Sequence, residues 1–277
     1  MFQPFLFSTG ETISLRWSMV RLYFVAASIL IIVGSTVIYY SFSTSVTSPN
    51  SSPGSDYSAP VSLKSPQWSG YVVMSNLLLR QPEVTIITGS WTIPSIEPTA
   101  NDMYSSVWIG VGGFGEKSLI QTGTAQQSVK GIVGYYAWYE LLPNRAVRVQ
   151  NFSVSPGDRI TATVKLVDSS KDIWSVEISD LTRDTSFSKN FVYKSSRLSA
   201  EWIVEAPSIS GEITTLANFG NITFTGCFAT IADTTGSISS FPGNQLIMYD
   251  NQDVQLVDVS PLTEDGSVFT VTYSKAS

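Results

Sequence analysis

The sequence predicts an all-β protein, an antiparallel β-sandwich of jelly-roll type, preceded by one apolar N-terminal helix. Three observations carry the sandwich. Beyond Trp68 no long stretch has helical period. Short runs alternate instead: Ile160, Ala162, Val164 and Leu166 with Thr161, Thr163 and Lys165, and Phe269, Val271 and Tyr273 with Thr270 and Thr272. Turn formers separate the runs, as in Ser155-Pro156-Gly157-Asp158, 168–172 and Glu264-Asp265-Gly266-Ser267. Period two buries one face of each strand, and many short strands at regular spacing build a sandwich.

The elements follow in order. Residues 1–21 carry Arg16 and Arg21 and are expected in the cytoplasm. Residues 22–40 are a run of 19 without charge. As a helix they would span about 28 Å, close to a bilayer core. No Lys or Arg follows until Lys64, so the positive-inside rule puts the rest outside. The run therefore predicts a transmembrane anchor or a signal sequence, and its length with no Ala-x-Ala site after it favours the anchor. The protein is expected to be held on the outer side of the membrane, or secreted after processing. Residues 41–66, rich in Ser, Thr and Pro, read as an extended stalk. Residues 67–277 form one β domain with no internal repeat. Its strands include 118–122, 135–142, 160–166, 174–179, 200–206, 222–228 and 269–273. Asn50, Asn151 and Asn221 open glycosylation sequons.

Composition narrows the chemistry. The 277 residues contain no His, which removes Ser-His, Cys-His and His-metal catalysis. One Cys, Cys227, rules out an internal disulfide, and its apolar strand context predicts a buried thiol. Net charge is −6, with a sequence pI near 4.7, and there is no basic face for nucleic acid.

Two segments put polar side chains inside apolar strands: Leu119-Ile120-Gln121-Thr122-Gly123 and Ala200-Glu201-Trp202-Ile203-Val204-Glu205. A buried polar group costs free energy unless it is paired, so both need a reason. Period two puts Glu201, Ile203 and Glu205 on one face and Trp202 and Val204 on the other. Tyr136, Trp138, Glu140 and Leu142 share a face, as do Leu119 and Gln121.

With Trp108-Ile109-Gly110-Val111-Gly112-Gly113 and Tyr136-Ala137-Trp138-Tyr139-Glu140, these segments resemble the glutamic peptidases, or eqolisins. Trp68-Ser69-Gly70-Tyr71, Trp91-Thr92-Ile93-Pro94 and Asn251-Gln252-Asp253-Val254 fit the same family in the same order. The resemblance implies a concanavalin A-like sandwich and an acid-acting, pepstatin-insensitive endopeptidase. It implies protein or peptide substrates, no metal or organic cofactor, and a monomer. By position, Gln121 and Glu205 fall on the catalytic pair. Trp108, Trp138 and Glu140 fall on positions lining the cleft, and Tyr136 and Glu201 are supporting residues. Glu205 would take a proton from water and return it to the leaving amine, while the Gln121 amide would stabilise the oxyanion. Family members are made as precursors, so part of 41–66 is expected as a pro-segment.

The chain departs from the fungal pattern. Gly112 and Tyr136 stand where fungal members carry Asp, and Leu142 where they carry Tyr. The fungal disulfides are missing. Two lost carboxylates predict altered subsite preference and an altered working pH. Two other readings fit parts of the pattern. Glu201-x-Ile203-x-Glu205 resembles the Glu-x-Asp-x-Glu strand of laminarinase-like glycoside hydrolases, with Ile203 in place of the Asp. A membrane-tethered lectin-like or adhesion module would use the same aromatic sheet face without chemistry.

Overall fold

A computed structural model describes residues 60–75, 81 and 83–274, and the backbone of 27–33 and 36–42. Its strands, in chain order, are β1 (Ala27–Val33), β2 (Thr36–Phe42), β3 (Val61–Ser65), β4 (Trp68–Met74), β5 (Val84–Thr92), β6 (Met103–Gly112), β7 (Leu119–Val129), β8 (Ile132–Leu141), β9 (Val147–Arg148) and β10 (Arg159–Asp168). They continue as β11 (Ile173–Asp180), β12 (Thr185–Val192), β13 (Ser199–Glu205), β14 (Ser208–Ile209), β15 (Glu212–Ile213), β16 (Asn221–Ile231), β17 (Thr234–Ser237), β18 (Gly243–Met248), β19 (Val257–Val259) and β20 (Phe269–Tyr273).

Two eight-stranded sheets face each other. The front sheet runs β3-β18-β4-β13-β6-β7-β8-β9. The back sheet runs β12-β11-β10-β5-β16-β20-β19, with β17 on β16. Pairing is antiparallel, as the sequence predicts, except that β3 lies parallel to β18. β3 begins at Val61, inside the segment read as stalk. Leu63 explains this, because it packs on a small apolar cluster of the front sheet and so draws the strand into the domain.

The N-terminal run differs from expectation. Where a transmembrane helix is predicted, β1 and β2 pair as an antiparallel hairpin with Val33 opposite Thr36. No helix among the described residues is long and apolar enough to cross a membrane. Ile, Val, Thr and Tyr crowd residues 29–40, and such β-branched and aromatic residues favour strands, with Gly34-Ser35 dividing the run. The expected cytoplasmic segment, part of the apolar run and most of the stalk with Asn50 lie outside the described residues.

The core lies between the sheets. Tyr71, Val73, Val107, Ile109, Val111, Trp202 and Val204 point inward from the front, meeting Ile87, Trp91, Ile160, Val164, Trp174 and Phe224 from the back. Two indoles cross the gap and lose no hydrogen bond by burial. Trp202 Nε1 donates to the Thr88 carbonyl at 2.8 Å, and Trp91 Nε1 to Thr124 Oγ1 at 3.0 Å. Gly89 makes the first of these possible, since a Cβ there would stand 2.8 Å from Trp202 Cδ1. Cys227 is buried in this core, which pushes its thiol pKa up and leaves it inert. Asn151 and Asn221 are exposed.

Candidate active site

The outer face of the front sheet has a different character. Its apolar part is a separate small cluster of Trp68, Val72, Trp108, Leu119, Trp138 and Ile203, among others. Strand register sets polar groups among these. One cross-strand row runs Glu201, Gly110, Gln121, Glu140. The next runs Ile203, Trp108, Gly123, Trp138 and ends at Arg148 on β9. The third runs Trp68, Glu205, Ser106, Ala125, Tyr136. All seven residues expected at the site thus share one face.

Glu205 is 7% exposed and Gln121 4%. They flank β6 from β13 and β7, and one indole links them. Trp108 Nε1 donates to Glu205 Oε2 at 2.8 Å. The other end of that ring reaches the space above Gly110, where a Cβ would lie 3.1 Å from both Trp108 Cζ3 and Gln121 Cβ. Gly110 is therefore the residue that leaves room over β6 for the Trp108 ring and the base of the Gln121 side chain. Trp68 packs edge-on against Trp108, with centroids 5.0 Å apart.

Each polar side chain is oriented by a second one. Gln67, 3% exposed, donates from Nε2 to Glu205 Oε1 at 3.3 Å. Gln121 Nε2 donates to Glu140 Oε2 at 2.7 Å. That fixes the amide plane and leaves one N–H of Gln121 unspent, while its Oε1 is buried without a partner. The indole N–H groups of Trp68 and Trp138 are likewise buried and unpaired. Unpaired buried donors and acceptors are what a face held ready for a polar ligand presents.

Burial governs the titration. It pushes the Glu205 carboxyl up to about 7, with the nearby Glu140 charge adding to the rise. The Trp108 hydrogen bond, and a weaker pull from Trp68 that lacks full hydrogen-bond geometry, act downward. Burial also takes Glu140 up to about 7, against the Gln121 hydrogen bond and the Ala146 backbone. Glu201 is completely buried, and burial raises its pKa well above the ordinary carboxylate range, against pulls from Ser199 and the Phe114 backbone that lack full hydrogen-bond geometry.

Glu205 and Glu201 do not form a glycosidase-like carboxyl pair, because Glu201 is fully buried. A carboxylate from the β6–β7 loop lies beside Gly112. Gly112 has a φ of 87°, and a Cβ built on it would stand 3.0 Å from Glu116 Oε1. A loop thus folds a carboxylate back over Gly112. Sequence reasoning missed both Glu116 and Gln67. Each lies outside the strand alternation, Gln67 just before β4 and Glu116 in the β6–β7 loop. The only local signals were the Gln directly before Trp68-Ser69-Gly70 and the glycines around Phe114.

A sandwich that lines one outer face with buried Glu, Gln and Trp, and has no His, defines a hydrolase site of the glutamic-peptidase type. Residues 66–273 match the Peptidase A4 family, so the chain belongs to that family, the eqolisins, and is a glutamic-type endopeptidase acting on proteins or peptides. It is 28% identical over 233 residues to Aspergillopepsin-2 of Aspergillus niger, covering 76% of this chain and 78% of that protein. The fold is similar to that of scytalido-glutamic peptidase bound to a transition state analog inhibitor. That match has a TM-score of 0.64 and 23% identity, over 76% of this chain and 98% of the other. Aspergilloglutamic peptidase from Aspergillus niger matches with a TM-score of 0.56 and 29% identity, over 62% of this chain and 99% of the other.

Proposed function

We propose that the chain hydrolyses peptide bonds with Glu205 and Gln121 as its catalytic pair. The observation that carries this reading is the shared Trp108 ring, which holds the Glu205 carboxyl at one end and borders Gln121 at the other. Ionised Glu205 takes a proton from water as the water oxygen bonds to the scissile carbonyl carbon. The free N–H of Gln121 receives the developing oxyanion. Glu205 then returns its proton to the amide nitrogen as the C–N bond breaks. Atoms balance, and the carboxyl ends as it began.

The Glu205 pKa near 7 means that the base form is scarce at acid pH. A water donating to the carboxylate favours the ionised form and lowers that pKa. Protonation of Glu140 removes the like charge that raises it. The working state therefore pairs ionised Glu205 with neutral Glu140. Glu140 acts as a positioning residue for Gln121. Trp138 and Tyr136, on β8 beside Gly123 and Ala125 of the same face, bind the substrate chain.

The test is hydrolysis of an unfolded protein between pH 2 and 7 with pepstatin present, for wild type, Glu205→Gln and Gln121→Ala. Pepstatin-resistant cleavage lost in both variants supports the pair, and full activity in Glu205→Gln would sink it.

A further inference from the structure

The front sheet ends at the two-residue strand β9, which the mechanism leaves unused. Arg148 on β9 pairs with Trp138 on β8. Paired residues project from the same side of a sheet, so Arg148 stands on the active face. It is exposed, and its Cζ lies 5.2 Å from the centre of the Tyr136 ring, the next residue of that face along β8. A cation over an aromatic ring is held in place without spending its N–H donors. Among the described residues no carboxylate forms an ion pair with Arg148. Its partner Trp138 is 6% exposed, with an indole N–H that is buried and unpaired.

The charges around Arg148 leave it positive. Burial keeps the Tyr136 hydroxyl above its ordinary pKa, against the pull of the Arg148 charge. Tyr104, on the same face of β6, is also raised, first by burial and then by Asp102. Both rings are therefore neutral in acid. Burial takes Glu140 up to about 7, so it too is neutral there. β7 contributes no ionisable side chain to this face. Asp102 accepts from the Lys130 backbone N–H at 2.8 Å, where β6 begins and β7 ends. Glu201 and Glu205 lie on β13, four strands from β9, and Glu116 lies over Gly112, three strands away. Arg145, exposed in the turn between β8 and β9, is a second cation.

We propose that Arg148, held over Tyr136, is a specificity-determining residue that binds an acidic side chain of the substrate. The carboxylate accepts from the planar guanidinium, and the adjoining peptide backbone supplies the acceptor for the Trp138 N–H. This deepens the peptidase reading of the same face and rests on it. Sheet spacing sets the position. Arg148 is two strands across and one row along from Gln121, and Tyr136 one strand across and two rows along. Either path is about 12–14 Å, which an extended peptide covers in about four residues.

The experiment uses the full chain and pairs of short peptides that differ by Glu or Gln at one position. That position is moved through the third to fifth residue on each side of the scissile bond. The readout is the Glu-to-Gln ratio of kcat/KM at pH 5.5, which does not depend on total activity. Wild type should favour Glu by about threefold to fivefold at one position. The ratio should approach 1 at 1 M salt, and again below about pH 4, where the peptide's own Glu takes up its proton. Arg148→Gln should bring the ratio to 1, and Arg148→Glu should favour Lys over Gln at that position. Arg145→Gln should keep most of the wild-type ratio. Equal rates at every position in wild type, or a preference that survives Arg148→Gln, would overturn the subsite. Calorimetric binding of the same pairs to Glu205→Gln separates this from the chemistry. Tighter binding of the Glu peptide, with no peptide cleaved by wild type, would keep the subsite and refute the peptidase reading. Cleavage with equal rates and equal binding would refute the subsite alone.

Discussion

The two faces of the front sheet are built from the same strands and obey opposite rules. Along β13, Trp202 and Val204 point into a core of mainly apolar side chains, and the Trp202 indole spends its N–H on the other sheet. Their neighbours Glu201, Ile203 and Glu205 point outward among carboxyls, an amide and unpaired indole N–H groups. One face minimises unsatisfied polarity and the other stores it. Stability and chemistry are therefore separated by a single residue step, and substitutions at adjacent positions should fail in different ways.

The strongest way to break this contrast is to exchange the failures. Glu205→Gln should lower kcat/KM by about 10⁴-fold, the upper range for general acid–base catalysis, without lowering Tm at neutral pH. Trp202→Ala, three positions away on the inner face, should cost about 3–5 kcal/mol in denaturant unfolding, with activity lost through unfolding alone. Gln121→Ala should lower kcat by about 10²–10³-fold in steady-state assays, with KM little changed, because its N–H acts on the oxyanion. A Gln121→Ala protein that mainly loses stability would erase the distinction between the faces.

A finer test uses pH. Glu205 and Glu140 both titrate near 7 in the folded chain, against about 4.3 when unfolded. Between those values the folded state holds more protons than the unfolded one. Stability should thus be greatest below about pH 4.5 and fall as pH rises to about 7. Thermal melts across this range should show the slope in wild type and less of it in Glu205→Gln and in Glu140→Gln. The smallest effect sought is in Glu140→Gln kinetics. Removing the like charge should move the acid limb of kcat/KM to lower pH. A shift to higher pH would show that the two acids do not interact as described.

Much of this was legible in the sequence because a strand's alternation reports its two faces. The runs at 160–166, 174–179 and 269–273 fall in β10, β11 and β20, and Glu201, Ile203 and Glu205 do share a face. What stayed hidden came from contacts distant in sequence or outside the alternation. The Trp108 link between Glu205 and Gln121 depends on the register of three strands. Gln67 meets Glu205 only because Trp68 pairs with it across β4 and β13. Glu116 reaches the face through a glycine turn that follows no period. At the N-terminus, apolar length predicted a helix, and the observed strand pairing follows the β-branched composition that length alone overlooks.

The parallel seat of β3 sets a limit on how far the chain can be trimmed. Its ladder partner β18 lies almost two hundred positions later in the sequence, from Asn244 opposite Val61 to Met248 opposite Ser65. A mature enzyme whose new N-terminus lies beyond Val61 would leave β18 with an open edge and uncover the cluster behind Leu63. Maturation, whatever protease performs it, should stop short of that strand. N-terminal sequencing of the active form ought then to find its first residue no later than Val61.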